Sequence, residues 1–369
     1  RASSATRVNK DGLIEEVAVN VSRLDYSDGG CPSLLLEPTR TNLESNSSEF
    51  TGGLIGVSIL RDVEPSPDGT ISSDKLSDNS ASGEHLINSS IVLSMVSGTS
   101  YTISVFFKSD GTGGQGTIRY YNGSTFHYGV FNLDNGVVSY NSFGTSKIEA
   151  YSNGWYRCSI SFTAAGAFSN PPFQIGVANA SNQYSYQGAS NLSYYFWGAQ
   201  VEQGSYATSY IPTSGSAVTR SADNVADVTY LQSKSLLGVN QGTWFVDLKD
   251  MFFEITGTGV GSMVLYLDSA NQIEFVTKTN TSFKITLNNS TSLDNISGQN
   301  KIAISYDING LVIYKNGVSA YTSSSSIYSK AYNELNLSQD TRPHRININN
   351  MKLYNTRLSN SELAALTTI

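Results

Sequence analysis

The chain has 369 residues, of which 39% are hydrophobic and only 14% charged, and its formal net charge is −7. That length suggests two domains of ordinary size, each able to bury a core without disulfide staples. Eleven scattered arginines with no Lys/Arg run argue against nucleic-acid binding by phosphate neutralisation, and no apolar run reaches the ~18 residues that a membrane span needs.

In chain order, residues 1–43 read as an extended lead-in, with Pro32, Pro38, the Gly29–Gly30 pair and one apolar patch, Leu34, Leu35 and Leu36, expected to dock on a sheet. The chain begins with Arg, so it is read as a fragment or a processed product. Residues 44–212 alternate short apolar runs with turn signals. Strands are expected at 101–108 (YTISVFFK), 117–121, 125–133, 137–140, 155–163, 173–178 and 194–203, with turns at Asn122–Gly123 and Asn135–Gly136. Residues 213–228 are small and polar and read as a linker. Residues 229–369 repeat the style, with strands expected at 242–247, 261–268, 272–279, 282–287, 300–306, 310–315 and 349–358. A short helix should follow over 359–366, capped by Ser359 or Ser361 and anchored by Leu363 and Leu366. Abundant Tyr, Phe, Ser, Thr, Asn and Gly without helical periodicity point to an all-β chain of two tandem antiparallel sandwiches or jelly rolls.

Three segments carry a resemblance. The first is ATRVNKDGLIE at 5–15, continued through 20–26 and CPSLLLEPTRTNL at 31–43. The second is WGAQVE at 197–202 with YATSYIPT at 206–213 and TRSAD at 219–223. The third is IYKNG at 313–317 with KLYNTRLSNSELAAL at 352–366. The first resembles lead-ins of bacteriophage fibre-like and tail-associated virion proteins. The second is similar to the closing strand of carbohydrate-binding-module-like jelly rolls, and the third to the end of a laminin G-like, concanavalin A-like domain. The resemblance implies a protein of the virion surface, joined to other virion proteins and to copies of itself as a homotrimer, with host-surface glycan as its ligand. Fold alone does not establish function.

Catalytic groups are not evident. A retaining glycosidase needs two carboxylates close together. Asp247 with Asp250, and the isolated Glu254 and Glu274, form no acid-x-acid pattern. His85, His127 and His344 are the only histidines, and His127 is placed where it could face a groove beside Tyr120 or Tyr121. The chain is therefore read as a non-enzyme. Trp155, Trp197 and Trp244 sit in apolar strand patterns and are assigned to the core. Loop tyrosines are the better glycan contacts: Tyr184 and Tyr186 in the first domain, Tyr328 and Tyr332 in the second. No cofactor is expected. Calcium is the one metal considered, at Asp307 and Asn309, which otherwise simply form a turn. Cys31 and Cys158 match no metal spacing and are read as buried thiols, with a Cys31–Cys158 disulfide left open. The leading expectation is a structural or adhesive virion protein. The alternatives are a tailspike depolymerase and a carbohydrate-binding module of a secreted bacterial enzyme.

Overall fold

Alternation decides which way each strand faces. In Ser100–Ser109, Tyr101, Ile103, Val105 and Phe107 are at most 3% exposed and belong to one apolar cluster, while Phe106 belongs to another. Successive side chains of a strand point to opposite faces, so this strand lies between two apolar layers. A computed structural model describes residues 1–27, 32–89, 94–169, 173–223, 241–253, 264–267, 273–276, 296–307, 309–324 and 344–369. It divides the chain into two compact units, one of Ser3–Val19 with Arg40–Arg220, the other of Arg1–Ala2, Asn20–Thr39 and Ser221–Ile369.

The first unit is an antiparallel β-sandwich. One six-stranded sheet runs Val137–Asn141, Phe126–Asn132, Gln115–Tyr121, Phe173–Ala178, Leu86–Asn88, Leu54–Ile55. The other runs Thr145–Ala150, Trp155–Thr163, Ser100–Ser109, Ser193–Gln203, Ile71–Asp78, Val57–Pro65. Between them Ile118, Phe131, Ile175 and Val177 of the first sheet share a core with Val105, Phe107, Ile160 and Phe196 of the second. Each contributes roughly 1.5–3 kcal/mol by leaving water. Most strands fall where the alternation puts them. The hairpin of Val57–Pro65 with Ile71–Asp78 does not show in the sequence, because Asp62, Glu64, Asp74 and Asp78 interrupt its apolar pattern. Asp74 pairs with Arg61, and Asp78 accepts from the Leu192 amide at 2.9 Å.

Two local devices hold this sandwich in register. At the Asn122–Gly123 turn the Asn122 side chain accepts from the amides of Ser124 and Thr125 at 3.0 and 2.9 Å. Gly123 has a φ of 90° and a Cβ there would meet the Gly166 carbonyl oxygen at 2.2 Å, so only glycine fits. Asp110 ties the end of Ser100–Ser109 to Ile71–Asp78 through Lys75 at 2.8 Å. Burial raises the Asp110 pKa, but hydrogen bonds from Lys75, Ser193 and Thr112 outweigh it and hold the carboxyl at about 2. A carboxyl depressed in the folded state lends stability above its unfolded pKa, near ~3.9, that is lost as pH falls toward the folded value. Acid unfolding of the native chain should therefore lose a component between about pH 4 and pH 2 that Asp110→Asn lacks, and NMR titration of the carboxyl should show a midpoint near 2.

The second unit is built on a seven-stranded sheet in the order Val318–Ser323, Gly310–Lys315, Ile296–Asp307, Gln241–Phe253, His344–Tyr354, Ser33–Leu36, Leu24–Asp25. Helix Asn360–Thr367 lies on it, with Leu363 packed against Phe245, Ala303 and Val312. Of the two capping candidates Ser359 is used: its hydroxyl accepts from the Glu362 amide, and the Glu362 carboxylate accepts from the Ser359 amide. Ser359→Ala should cost this unit about 1 kcal/mol, readable as an earlier urea midpoint.

Residues 1–43, read as a lead-in, are shared between the units. Ala5–Val8 and Ile14–Val17 form a hairpin in the sandwich, and Arg40–Asn42 pairs with Val218–Arg220 there. The apolar patch docks as expected, as strand Ser33–Leu36 on the edge of His344–Tyr354, with Leu35 1% and Leu36 2% exposed. Residues 218–220, given to the linker on composition, are thus strand rather than spacer, because their backbone completes a ladder with residues 40–42. The strand expected at 282–287 lies outside the described residues. Among the described residues no helix is long and apolar enough to cross a membrane.

Candidate functional site

The two outer faces of the sandwich differ. On the second sheet the outward side chains are roofed. Phe106, Trp155 and Trp197 pack with Tyr210 from the following segment and Ile14 from the hairpin. The indole nitrogens donate to the Pro65 carbonyl and the Ser72 hydroxyl, both at 3.1 Å, and Tyr210 and Ser47 hydroxyls lie 2.6 Å apart. The tryptophans assigned to the core are thus buried (1% for Trp155, 3% for Trp197), but two of them build this second apolar layer.

Among the described residues the first sheet's outer face carries no comparable apolar layer; the segment around Asn182 and Tyr184 covers its middle, where Val130 is 0% and Gln174 5% exposed. The sheet's register sets Arg119 opposite Tyr128 and Gln174, Tyr121 opposite Phe126, and Val130 opposite Tyr140. These positions alternate with Ile118, Tyr120, Phe131 and Ile175, which point into the core, so they point outward. The result is a connected cluster. The Arg119 guanidinium lies 4.0 Å from the Phe126 ring centre and 5.3 Å from that of Tyr184. Tyr184 meets Tyr128 edge-on at 4.8 Å, and Tyr128 stacks on Tyr140 at 4.8 Å. Arg119 donates to the Gln174 side chain at 2.6 Å and pairs with Glu84 at 3.4 Å, and Gln174 donates to Asn88 at 2.6 Å. Phe126 and Tyr140 remain 41% and 39% exposed. Burial, and then the Tyr140 hydroxyl, raise the Tyr128 pKa, so that hydroxyl stays a neutral donor at pH 7.

Of the tyrosines singled out in the sequence, Tyr184 joins this cluster. Tyr186 does not: its ring lies on His85 at 4.2 Å and its hydroxyl is turned 3.4 Å from Asp78. Tyr328 and Tyr332 lie outside the described residues. Arg119, Tyr128, Tyr140 and Phe126 were not singled out as contacts. The alternation of Phe126, Tyr128 and Val130 is the signal that marks them.

The other candidates have structural partners. His127 lies beside Tyr120, with ring centres 5.9 Å apart. Its ring stacks on Phe143 at 4.6 Å, Nε2 lies 3.1 Å from the Asn122 amide nitrogen, and burial lowers its pKa. His85 is fully buried between the carbonyls of Gly56 and Tyr186. Asp307 accepts from the Asn309 amide at 2.7 Å and pairs with Arg357 at 2.6 Å, which commits its carboxylate to the turn and to an arginine. Among the described residues no group of three or more His, Cys, Asp or Glu could hold a metal ion. Cys158 is a buried free thiol whose pKa burial raises, while Cys31 lies outside the described residues. Asp250, Glu254 and Glu274 fall where side chains are not described.

No family model matches the chain, and no curated protein matches it. One solved structure that it resembles is the Clostridium thermocellum xylanase 10B fragment of CBM22-1 and GH10 modules complexed with xylohexaose. The identity is 16% and the TM-score 0.26, over 48% of this chain and 30% of that one. This chain thus spans about a third of that protein's length, and so loose a likeness carries no weight for function.

Proposed function

We propose that the sandwich unit binds glycan, without cutting it, on the outer face of its first sheet. One observation carries this reading: this face presents a connected patch of aromatic rings and polar side chains, with Phe126 and Tyr140 exposed, while the outer face of the opposite sheet is covered by an apolar layer. Sugars offer apolar C–H faces and a rim of hydroxyls, which suits exposed rings beside amides, a guanidinium and a carboxylate. Glu84 is the one carboxylate joined to the cluster among the described residues, which favours holding over the two-carboxylate chemistry of hydrolysis.

A finer placement, an adhesive protein of a phage surface that assembles as a homotrimer with other virion proteins, rests on the resemblance of residues 5–15, 20–26 and 31–43, of 197–202, 206–213 and 219–223, and of 313–317 with 352–366. Light scattering checks the trimer, and assay of purified virions checks the location.

Calorimetry against immobilised and soluble polysaccharides tests the glycan reading. Tyr128→Ala and Tyr184→Ala should each weaken binding about tenfold, a loss of ~1.4 kcal/mol, with circular dichroism unchanged. Native affinity in both variants would contradict it.

A further inference from the structure

The charge pattern of this face narrows its ligand, and the narrowing rests on the glycan reading above. The six strands of the first sheet carry a single Lys, Arg, Asp or Glu between them, Arg119. The second sheet carries such residues on every strand, among them Arg61, Asp62, Asp74, Lys75, Lys108, Lys147, Glu149, Arg157 and Glu202. The contrast sets one nearly uncharged surface apart on a chain of net charge −7.

Both terminal nitrogens of the cation on these strands are already engaged, and its Nε, which has no hydrogen-bond partner, is buried away from solvent. The Arg119 side chain is 13% exposed, with Phe126 4.0 Å from its guanidinium carbon and Tyr184 5.3 Å away. Its two terminal nitrogens face the Gln174 oxygen at 2.6 Å and the Glu84 carboxylate at 3.4 Å. An incoming carboxylate or sulfate would have to displace Glu84, which is 37% exposed and leaves a negative charge beside the new anion. A hydroxyl faces no such competition. It can donate to Glu84 without disturbing Arg119, and its ring carbons can lie on Phe126 or Tyr140.

We infer that the face selects uncharged glycans and excludes those bearing uronate or sulfate groups. The guanidinium serves to orient Gln174, Glu84 and the flanking rings, not to bind an anion.

The test is a printed array of neutral and of uronate- or sulfate-bearing glycans, probed with the full chain at about 20 and about 500 mM NaCl, salts at which screening differs several-fold. Binding confined to neutral glycans and changing less than ~2-fold with salt is the expected result. Binding of acidic glycans that falls ~10-fold or more in high salt would overturn this inference while leaving the glycan reading in place. No binding to any spot would overturn both. Glu84→Gln supplies a second readout: removing the competing carboxylate should let acidic glycans bind that the native chain refuses, and unchanged refusal would contradict the mechanism of exclusion.

Discussion

Replacing Arg23 with alanine is expected to destabilise the second unit by about 3–5 kcal/mol, a large part of a domain's stability. The Arg23 and Glu37 side chains are fully buried and Asp223 is 8% exposed. Arg23 meets Glu37 at 2.8 Å and also pairs with Asp223, which in turn accepts from the Glu37 amide at 3.0 Å. Burial alone would lower the Arg23 pKa, but Glu37 and Asp223 more than reverse that and keep the guanidinium charged. Without it both carboxylates lose their shared cation in a site closed to water, while Asp223 retains Arg1 at 3.0 Å and the Glu37 amide at 3.0 Å. The same cluster fixes residues 20–39, which carry strands Leu24–Asp25 and Ser33–Leu36. Hydrogen exchange should therefore speed up first in His344–Tyr354 and in Ser33–Leu36, and the sandwich unit should keep its protection. A loss below ~1 kcal/mol would show that the cluster is dispensable.

The second large effect concerns the roof. Trp155→Ala should cost the sandwich unit about 3–5 kcal/mol, because it opens a cavity beneath Ile14, Phe106, Trp197 and Tyr210 and leaves the Pro65 carbonyl without its donor. Urea unfolding read by circular dichroism measures this. Conservative Trp155→Phe should recover much of the apolar part but not the hydrogen bond at 3.1 Å. If Trp155→Ala cost less than ~1 kcal/mol, the layer would not be packed as described, and the contrast between the two outer faces would weaken.

How far the sequence carries differs between fold and site. Period-two runs such as residues 101–108, and Asn–Gly turns such as Asn122–Gly123, are local, so the sandwich could be read from them. The αL turn at Asn316–Gly317, with φ of 51° and 82°, belongs to the same class. Ser33–Leu36 pairing with His344–Tyr354 could not be read, because its partners lie some three hundred residues apart and nothing local encodes them. The same holds for the cluster. Glu84, Arg119, Tyr128, Tyr140, Gln174 and Tyr184 come from four strands of the first sheet's neighbourhood and two short flanking segments, and only register brings them together. Tyr186 shows the limit from the other side. It is two residues from Tyr184 and chemically identical, yet its ring is spent on His85. The roof was half legible: the tryptophans looked apolar and buried, but the sequence does not say which layer they fill.

On the proposed reading, ligand meets the first sheet's outer face. The most direct test of that claim is an NMR titration of the isotope-labelled chain with a glycan selected from the array. The expected result is amide and ring shifts at Glu84, Asn88, Arg119, Phe126, Tyr128, Tyr140, Gln174 and Tyr184, with Ile14, Trp155, Trp197 and Tyr210 unmoved. Shifts confined to the roofed face, or to the second unit around Phe245 and Leu363, would contradict the claim.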